Sequence, residues 1–167
     1  TLRLAPRQRL QRVVDIIDLD DAMNAVLRRV DEGCCYGDFQ FAIDAGDDGF
    51  LRRGVLACYK PVPRDEPPQA TAADLPAETW LQLLKLAHDD KRAAFRLYAQ
   101  HYLGTDGNCC WSDTMQLSTY LPSYAEYLER SLGEMPQREA LVIGEHNVPR
   151  EHLMNFMQRA RAVLRAH

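Results

Sequence analysis

The stretch Cys34–Asp44, which reads CCYGDFQFAID, alternates between two kinds of side chain and predicts a β-strand. One face of this strand would be mostly apolar and would carry Cys35, Phe39, Phe41 and Ile43. The opposite face would be mostly polar and would carry Tyr36, Asp38, Gln40 and Ala42. The turn signal Asp47-Asp48-Gly49 follows, and Phe50–Lys60 predicts the return strand. Together these segments predict a long β-hairpin.

Strands and helices alternate on both sides of the hairpin. Before it, the pattern predicts a strand at Arg9–Ile17 and a helix that Asp18 or Asp20 caps and Gly33 ends. After it, the pattern predicts a loop, two helices, a strand, a short helix, a strand and a final helix: Pro61–Pro76, Ala77–His88, a helix from Asp89 or Asp90 to Tyr102, Cys109–Tyr120, Pro122–Gly133, Arg138–Val148 and the residues after Pro149. This order predicts an α+β fold with an antiparallel sheet and helices packed mainly on one face.

The composition of the chain is that of an ordinary globular protein. Its 167 residues are enough for one domain with a hydrophobic core, and 46% of them are hydrophobic while 26% are charged. The net charge is −4 and the arginines are scattered, so we expect no nucleic-acid partner. No apolar run is long enough to span a bilayer and the first residues do not resemble a signal peptide, so we expect no membrane partner.

Five cysteines bear on the redox compartment and on metal binding: Cys34, Cys35, Cys58, Cys109 and Cys110. Two pairs are adjacent in sequence, and neighbours on a strand point to opposite faces, which disfavours a disulfide or a shared metal within each pair. None has the two-residue spacing of a zinc site. The sequence therefore predicts reduced, mostly buried cysteines in a cytoplasmic protein, and no metal ligands.

A row of polar side chains marks the predicted strand Cys109–Tyr120. One face carries five polar residues in succession, namely Ser112, Thr114, Gln116, Ser118 and Tyr120. They could form a solvated sheet surface or line a pocket for a hydroxylated ligand, and the pattern fits both. If the two strands are neighbours, Asp38 and Gln40 extend the same polar surface. Asp113 lies on the apolar face, where we expect it to have a partner.

The predicted strand Arg138–Val148 carries the carboxylate of Glu145 near its C-terminal end. Its middle is apolar on both faces, which is typical of a strand inside a sheet. Glu145 and Asn147 share one face near its end, just before a helix begins. Glu145 could be an exposed side chain stabilised by the helix dipole. Alternatively, it could face a ligand and orient or deprotonate a substrate hydroxyl.

Four segments resemble FAD-linked oxidoreductases of the vanillyl-alcohol oxidase type, and the resemblance spans essentially the whole chain. The segments are Tyr36–Asp44, Phe50–Val55, Trp111–Tyr120 and Glu145–Glu151. In that family a two-part domain holds FAD, and a substrate (cap) domain covers the flavin ring with an antiparallel, ferredoxin-like sheet. The resemblance implies that residues 1–6 are the remnant of the last strand of an FAD-binding domain. It implies that residues 7–167 form the cap domain, without the family's C-terminal tail.

The resemblance also assigns candidate roles to residues. Glu145 matches a glutamate that lies near the flavin in related sugar-alcohol and aldonolactone oxidases, so it is the candidate catalytic residue. Asn147 stands where those relatives carry a basic residue, which argues against a polyol or lactone substrate. Met115 stands where similar-looking relatives carry a histidine, so we expect the role of that position to be absent here. The candidate substrate-binding residues follow from strand geometry: Asp38, Gln40, Ser112, Thr114, Gln116, Ser118, Tyr120 and Asn147.

The expected function is that of a substrate-binding cap in an FAD-dependent oxidoreductase, which oxidises a small hydroxylated substrate by hydride transfer to the flavin. The Gly-rich stretches that hold the FAD pyrophosphate in such proteins have no match here. We therefore expect the FAD-binding domain to hold the cofactor and this chain alone to be inactive. The main alternative is a non-enzymatic α+β module that uses an open sheet face to bind a ligand or to dimerise. An open face would also favour self-association.

Overall fold

A computed structural model describes residues 6–67, 75–114 and 144–166 of the chain. Its elements, in chain order, are β1 (Arg9–Asp18), α1 (Leu19–Asp31), β2 (Tyr36–Phe41), β3 (Arg53–Val62), α2 (Ala77–Asp89), α3 (Lys91–Gly104), β4 (Cys109–Trp111), a 3-10 turn (Arg150–His152) and α4 (Leu153–Ala166).

The four described strands form one antiparallel sheet in the order β2-β3-β1-β4. β1 pairs with β3 over its whole length, from Arg9 opposite Val62 to Asp18 opposite Arg53. Because β3 lies between β1 and β2, the segment β1–α1–β2 is a split β-α-β unit. The strand order is that of a ferredoxin-like sheet, although two helices, α2 and α3, connect β3 to β4. The prediction of an α+β fold with an antiparallel sheet is confirmed.

Helices cover both faces of this sheet. One face packs against α3 through Leu10, Val14, Val55, Ala57, Tyr59, Phe95, Tyr98, Ala99 and Tyr102. The opposite face packs against α1 through Ile17, Ala25, Val26, Phe39, Leu56 and Cys58. The sequence pattern predicted helices mainly on one face, whereas these two helices are divided between both. The physical reason lies in β3, where every residue from Gly54 to Tyr59 is buried, so that both of its sides need cover.

Helix α1 has the predicted limits and a well-defined end. Asp18 is at the N-cap position, although its carboxylate accepts a hydrogen bond from Arg53 Nε at 3.1 Å instead of capping the helix. At the other end, the backbone N–H of Gly33 donates to the carbonyl of Val30, and that of Cys34 donates to the carbonyl of Arg29, both at 2.9 Å. This pair of bonds is a Schellman motif, which requires a left-handed residue just past the helix.

Gly33 supplies that left-handed residue, with a φ of 91°. We expect Gly33→Ala to lower the free energy of unfolding by about 1 kcal/mol, because an L-residue is strained in this conformation. No atom lies within 4 Å of the position that the new Cβ would take, so the cost is one of backbone conformation alone. Urea unfolding measures it. Gly46→Ala is the control, and equal stability of the two variants would contradict the assignment.

The hairpin shows the predicted alternation with shorter strands. Asp38 lies on the side of the sheet that faces α3, and Phe39 on the side that faces α1. β2 ends at Phe41 and β3 begins at Arg53, so the connection is longer than the strand pattern predicted. The predicted turn at 47–49 lies within this connection, where several backbone N–H groups donate to carbonyl groups three or four residues earlier.

The two helices after the hairpin also match the prediction. α2 and α3 are separated by Asp90, whose carboxylate accepts a hydrogen bond from the backbone N–H of Ala93 at 2.9 Å. Of the two aspartates that the sequence offered as caps, Asp90 is therefore the one that caps α3.

Of the predicted strand Cys109–Tyr120, Cys109–Trp111 form a strand, Ser112–Thr114 do not, and residues 115–120 lie outside the described residues. Trp111 pairs with Arg9, the first residue of β1. One further bond follows, because the Ser112 N–H donates to the Gln8 carbonyl at 2.8 Å. Ser112–Thr114 instead form a turn, closed by a hydrogen bond from the Thr114 N–H to the Trp111 carbonyl at 2.9 Å.

The end of the chain departs from the predicted pattern as well. Residues 144–149, which include the last part of the predicted strand Arg138–Val148, have no regular structure. The 3-10 turn then precedes α4, so the final α-helix begins at Leu153 and not directly after Pro149. The first part of that strand, the predicted short helix Pro122–Gly133 and residues 1–5 lie outside the described residues.

Candidate functional site

The described candidate site residues lie in three separate places. Asp38 and Gln40 are on β2, at one edge of the sheet, and Ser112 and Thr114 follow β4, at the other edge. The condition for a continuous polar surface, that these two strands are neighbours, is not met, because β3 and β1 lie between them. Glu145 and Asn147 lie in a third place, just before α4. The candidates Gln116, Ser118 and Tyr120 lie outside the described residues.

Asp38 is a partly buried carboxyl group on the face that α3 covers. Gln40 Nε2 donates a hydrogen bond to Asp38 Oδ2 at 2.7 Å. Burial raises the pKa of Asp38, while the hydrogen bond from Gln40 and the positive charge of Arg12 oppose that rise. The two candidates on β2 thus bond to each other.

The raised pKa of Asp38 makes a prediction about pH. The folded protein binds this proton more tightly than the unfolded chain, so the contribution of Asp38 to stability falls as the pH rises from the ordinary aspartate range through the raised pKa. We expect Asp38→Asn, which keeps an acceptor for Gln40, to gain stability relative to the natural protein between pH 4 and pH 7. Urea unfolding at both pH values measures the gain. Asp48→Asn controls for the loss of one negative charge, and an Asp38→Asn difference that shrinks with rising pH would count against the assignment.

Next to Asp38 lies a polar group that the sequence did not reveal, here called the Arg12 cluster: Arg12, Tyr59, Tyr102 and Thr105. Arg12 donates to the Tyr59 hydroxyl at 3.1 Å and to Thr105 Oγ1 at 2.8 Å. Its guanidinium also lies 5.4 Å from the ring centre of Tyr59 and 5.3 Å from that of Tyr102. Thr105 Oγ1 in turn donates to the Tyr102 carbonyl at 2.7 Å.

The Arg12 cluster stabilises the packing of α3 against the sheet. Tyr59 and Thr105 are almost completely buried, and their hydroxyls are both bonded to Arg12. Tyr98 stacks beside Tyr102 with ring centres 4.4 Å apart, and burial raises the pKa of Tyr98. Burial also raises the pKa of Tyr59, so Tyr59 and Tyr98 remain neutral. The cluster ties β1 and β3 to the end of α3.

Ser112 and Thr114 are engaged in the turn after β4. Ser112 Oγ accepts a hydrogen bond from the backbone N–H of Gln8 at 3.0 Å, and Thr114 Oγ1 donates to the Trp111 carbonyl at 3.0 Å. Both hydroxyls hold the local backbone in place. The geometry therefore gives a structural role to each of them.

Asp113 has the partner that the sequence analysis expected. Its Oδ1 accepts a hydrogen bond from Arg7 Nε at 2.8 Å, and the Arg7 guanidinium lies 4.2 Å from the centre of the Trp111 ring. Both charged side chains are about half exposed, so this is a surface pair that contributes little to stability.

Glu145 and Asn147 are exposed and lie side by side on an open concavity of about 520 Å³. We call it the α4 concavity, and its lining is Glu145, His146, Asn147, Val148, Pro149, His152, Asn155, Phe156 and Arg159. The prediction that Glu145 ends a central strand is wrong, because its backbone has no regular structure. The expectation that Glu145 precedes a helix holds.

The α4 concavity combines groups that suit a hydroxylated ligand. It offers the carboxylate of Glu145 as an acceptor, the amides of Asn147 and Asn155 as donors and acceptors, and the guanidinium of Arg159 as a donor. The His146 ring lies 5.8 Å from the ring of Phe156, which gives the wall an aromatic part. A small polar molecule could thus be held at several points.

Three of these residues were missed by the sequence analysis, although a signal was present. His152, Asn155 and Arg159 are spaced by three and four residues, which puts them on one side of the final helical segment. This spacing on the polar face of the helix is the signal that predicts a shared location for the three residues.

Two arginines of α4 fix the concavity relative to the hairpin connection. Arg161 donates to the carbonyl of Asp48 and Arg165 to that of Asp47, both at 2.6 Å. The Arg165 guanidinium also lies 5.6 Å from the centre of the buried Phe50 ring. The helix that forms one wall of the concavity is therefore attached to the long connection between β2 and β3.

Within residues 6–67, 75–114 and 144–166, none of the four α-helices begins at a glycine-rich turn of the kind that holds a pyrophosphate. In the same ranges, no three histidine, cysteine, aspartate or glutamate side chains are grouped so that they could hold a metal ion. None of the five cysteines forms a disulfide, and only Cys58 is buried, which is fewer than the sequence predicted.

The chain matches no protein-family model, no curated protein and no solved structure. Among the helices of the described residues, none is both long and apolar enough to cross a membrane.

Proposed function

We propose that this chain is the substrate-binding (cap) domain of an FAD-dependent oxidoreductase that oxidises a small hydroxylated substrate. The resemblance to the vanillyl-alcohol oxidase type supports this function. The observation that carries it is the position of Glu145 and Asn147, which lie exposed on one concavity with further hydrogen-bonding groups. The five cysteines form no disulfide, which is in keeping with the cytoplasm as the proposed compartment.

In this proposal the flavin is held by a separate FAD-binding domain and supplies the hydride acceptor. The Glu145 carboxylate accepts the hydrogen bond of the substrate hydroxyl that is oxidised. The Asn147 amide, two residues along the same segment, bonds a second oxygen of the substrate and fixes its orientation. The α4 concavity is open to solvent as it stands, so the FAD-binding domain would close it and exclude water.

The α4 concavity, and not the sheet, is the surface proposed to face the flavin. Both faces of the described sheet are covered, one by α1 and the other by α3. The resemblance implied a cap that covers the flavin with its sheet, and the alternative of a ligand-binding or dimerisation module needs an open sheet face. The covered sheet of the described residues supports neither expectation.

The test is the visible spectrum of the protein expressed from the complete reading frame that contains these residues. We expect a yellow protein whose flavin absorbance is bleached when a suitable hydroxylated substrate is added without oxygen. A panel of small alcohols and hydroxy acids provides the substrates. A colourless protein that also fails to take up added FAD would contradict the proposed function.

A further inference from the structure

A second concavity, of about 320 Å³, lies between α1 and β2 on the sheet face opposite α3. We call it the α1 concavity. Its walls are largely apolar, with the exposed thiol of Cys35 and two less exposed thiols among them: Val26, Val30, Cys34, Phe39, Leu56 and Cys58. It shares no lining residue with the α4 concavity. Its volume is at the lower end of the range of small-molecule sites.

The floor of the α1 concavity depends on a glycine. A Cβ on Gly37 would come within 3.0 Å of Cys58 Sγ and 3.1 Å of the Ala57 carbonyl oxygen. At the mouth, Val30 is 57% exposed. The fold therefore leaves a large apolar side chain in water at the entrance of an apolar hollow, and a ligand in the hollow would cover it.

The charges around the α1 concavity disfavour an ionic ligand. Arg29 is the one cation of the lining, and it already binds two carboxylates, those of Asp15 and Glu32. Asp38 also belongs to the lining, but its side chain lies on the sheet face that α3 covers, where it accepts the hydrogen bond of Gln40. A charged ligand would lose its hydration without meeting a free counter-charge in the lining.

The two thiols remain protonated at neutral pH. Burial raises the pKa of the Cys34 thiol, and it raises that of the Cys58 thiol to about 11. They therefore present soft, uncharged sulfur atoms to the hollow. Sulfur interacts favourably with the edge of an aromatic ring, and the nearby Phe39 ring offers a further aromatic contact.

We propose that the α1 concavity binds a small, uncharged aromatic molecule of one or two fused rings. Val26 and Leu56 contact its faces, while Cys34 and Cys58 contact its edge. Val30 closes over the outer side of the bound ring. This site is independent of the proposed oxidoreductase function, since it uses no residue of the α4 concavity.

The experiment is a titration of the whole, isotopically labelled chain with indole, followed by amide chemical shifts. We expect saturable shifts at Val26–Val30 and Cys34–Phe39, with the amides of Cys109 and Trp111 unchanged. Shifts spread equally over the two groups, or no shift up to the solubility limit of indole, would overturn the proposal.

Two variants of α1 make the test specific. Val30→Glu puts a carboxylate at the mouth, and we expect it to weaken indole binding by about tenfold, because the bound ring would desolvate that charge. Leu27→Glu is the matched control, since Leu27 is also exposed on α1 but does not line the hollow. Circular dichroism verifies that both variants fold. Indole binding that is equal in the two variants would overturn the proposal.

Discussion

Replacing Glu145 with glutamine is expected to lower kcat/KM for oxidation of the substrate by about 100-fold in the flavin-containing protein. Glutamine keeps the size of the side chain but has a weaker acceptor and no charge. The loss should fall mainly on the rate of flavin reduction, because the acceptor matters most when the hydroxyl proton leaves. Stopped-flow measurement of flavin reduction without oxygen follows this step directly.

Glu151 provides the matched control for this experiment. It is a neighbouring exposed glutamate in the 3-10 turn before α4, and it does not line the α4 concavity. We expect Glu151→Gln to reduce the flavin at the rate of the natural protein. If both variants keep the full rate, Glu145 has no part in the reaction.

Replacing Leu10 with alanine is expected to give the largest loss of stability. Leu10 lies on β1, is completely buried and belongs to the core between the sheet and α3. Removing three carbon atoms there leaves a cavity, so the free energy of unfolding should fall by about 3 kcal/mol. For a chain of this length, that loss lowers the melting temperature by roughly 10 °C. Urea unfolding and calorimetry measure the two quantities.

Leu103→Ala is the control for this substitution. Leu103 lies near the end of α3 and is 46% exposed, so we expect its loss to cost less than 1 kcal/mol, or about a third of the Leu10 effect. Equal losses for the two variants would show that β1 does not lie at the centre of the core.

The parts of the fold that the sequence predicted depend on local signals. The alternation at 34–44 predicted the hairpin, Gly33 predicted the end of α1, and Asp90 is a cap for α3. Each signal acts over a few residues, through side-chain direction, a left-handed φ or a bond to the next helical turn. Such signals do not depend on which strands become neighbours.

The parts that were not predicted depend on distant pairings. Arg12 meets Tyr59 because the antiparallel register of β1 and β3 places them opposite each other, and Thr105 reaches the same point from the end of α3. No residue near Arg12 in sequence indicates these contacts. Likewise, Asp38 and Ser112 lie at opposite edges of the sheet because of the strand order, which is a property of the whole chain.

One global feature could have been predicted from the sequence. The run Val55–Tyr59 has no alternation of polar and apolar side chains, and such a run is typical of a strand buried on both faces. Given that run, helices on both sides of the sheet follow. The packing of α1 on one face and α3 on the other is therefore indicated by the sequence. Because both faces are covered, the proposed substrate surface is the α4 concavity and not the sheet.

The central claim is that the α4 concavity contacts the substrate. Backbone hydrogen exchange of the flavin-containing protein, with and without a substrate that reduces it, tests this claim most directly. We predict that substrate slows exchange in residues 144–156 and leaves Ser112–Thr114 and the amides of β2 unchanged. Slower exchange at those other segments, with none at 144–156, would contradict the account.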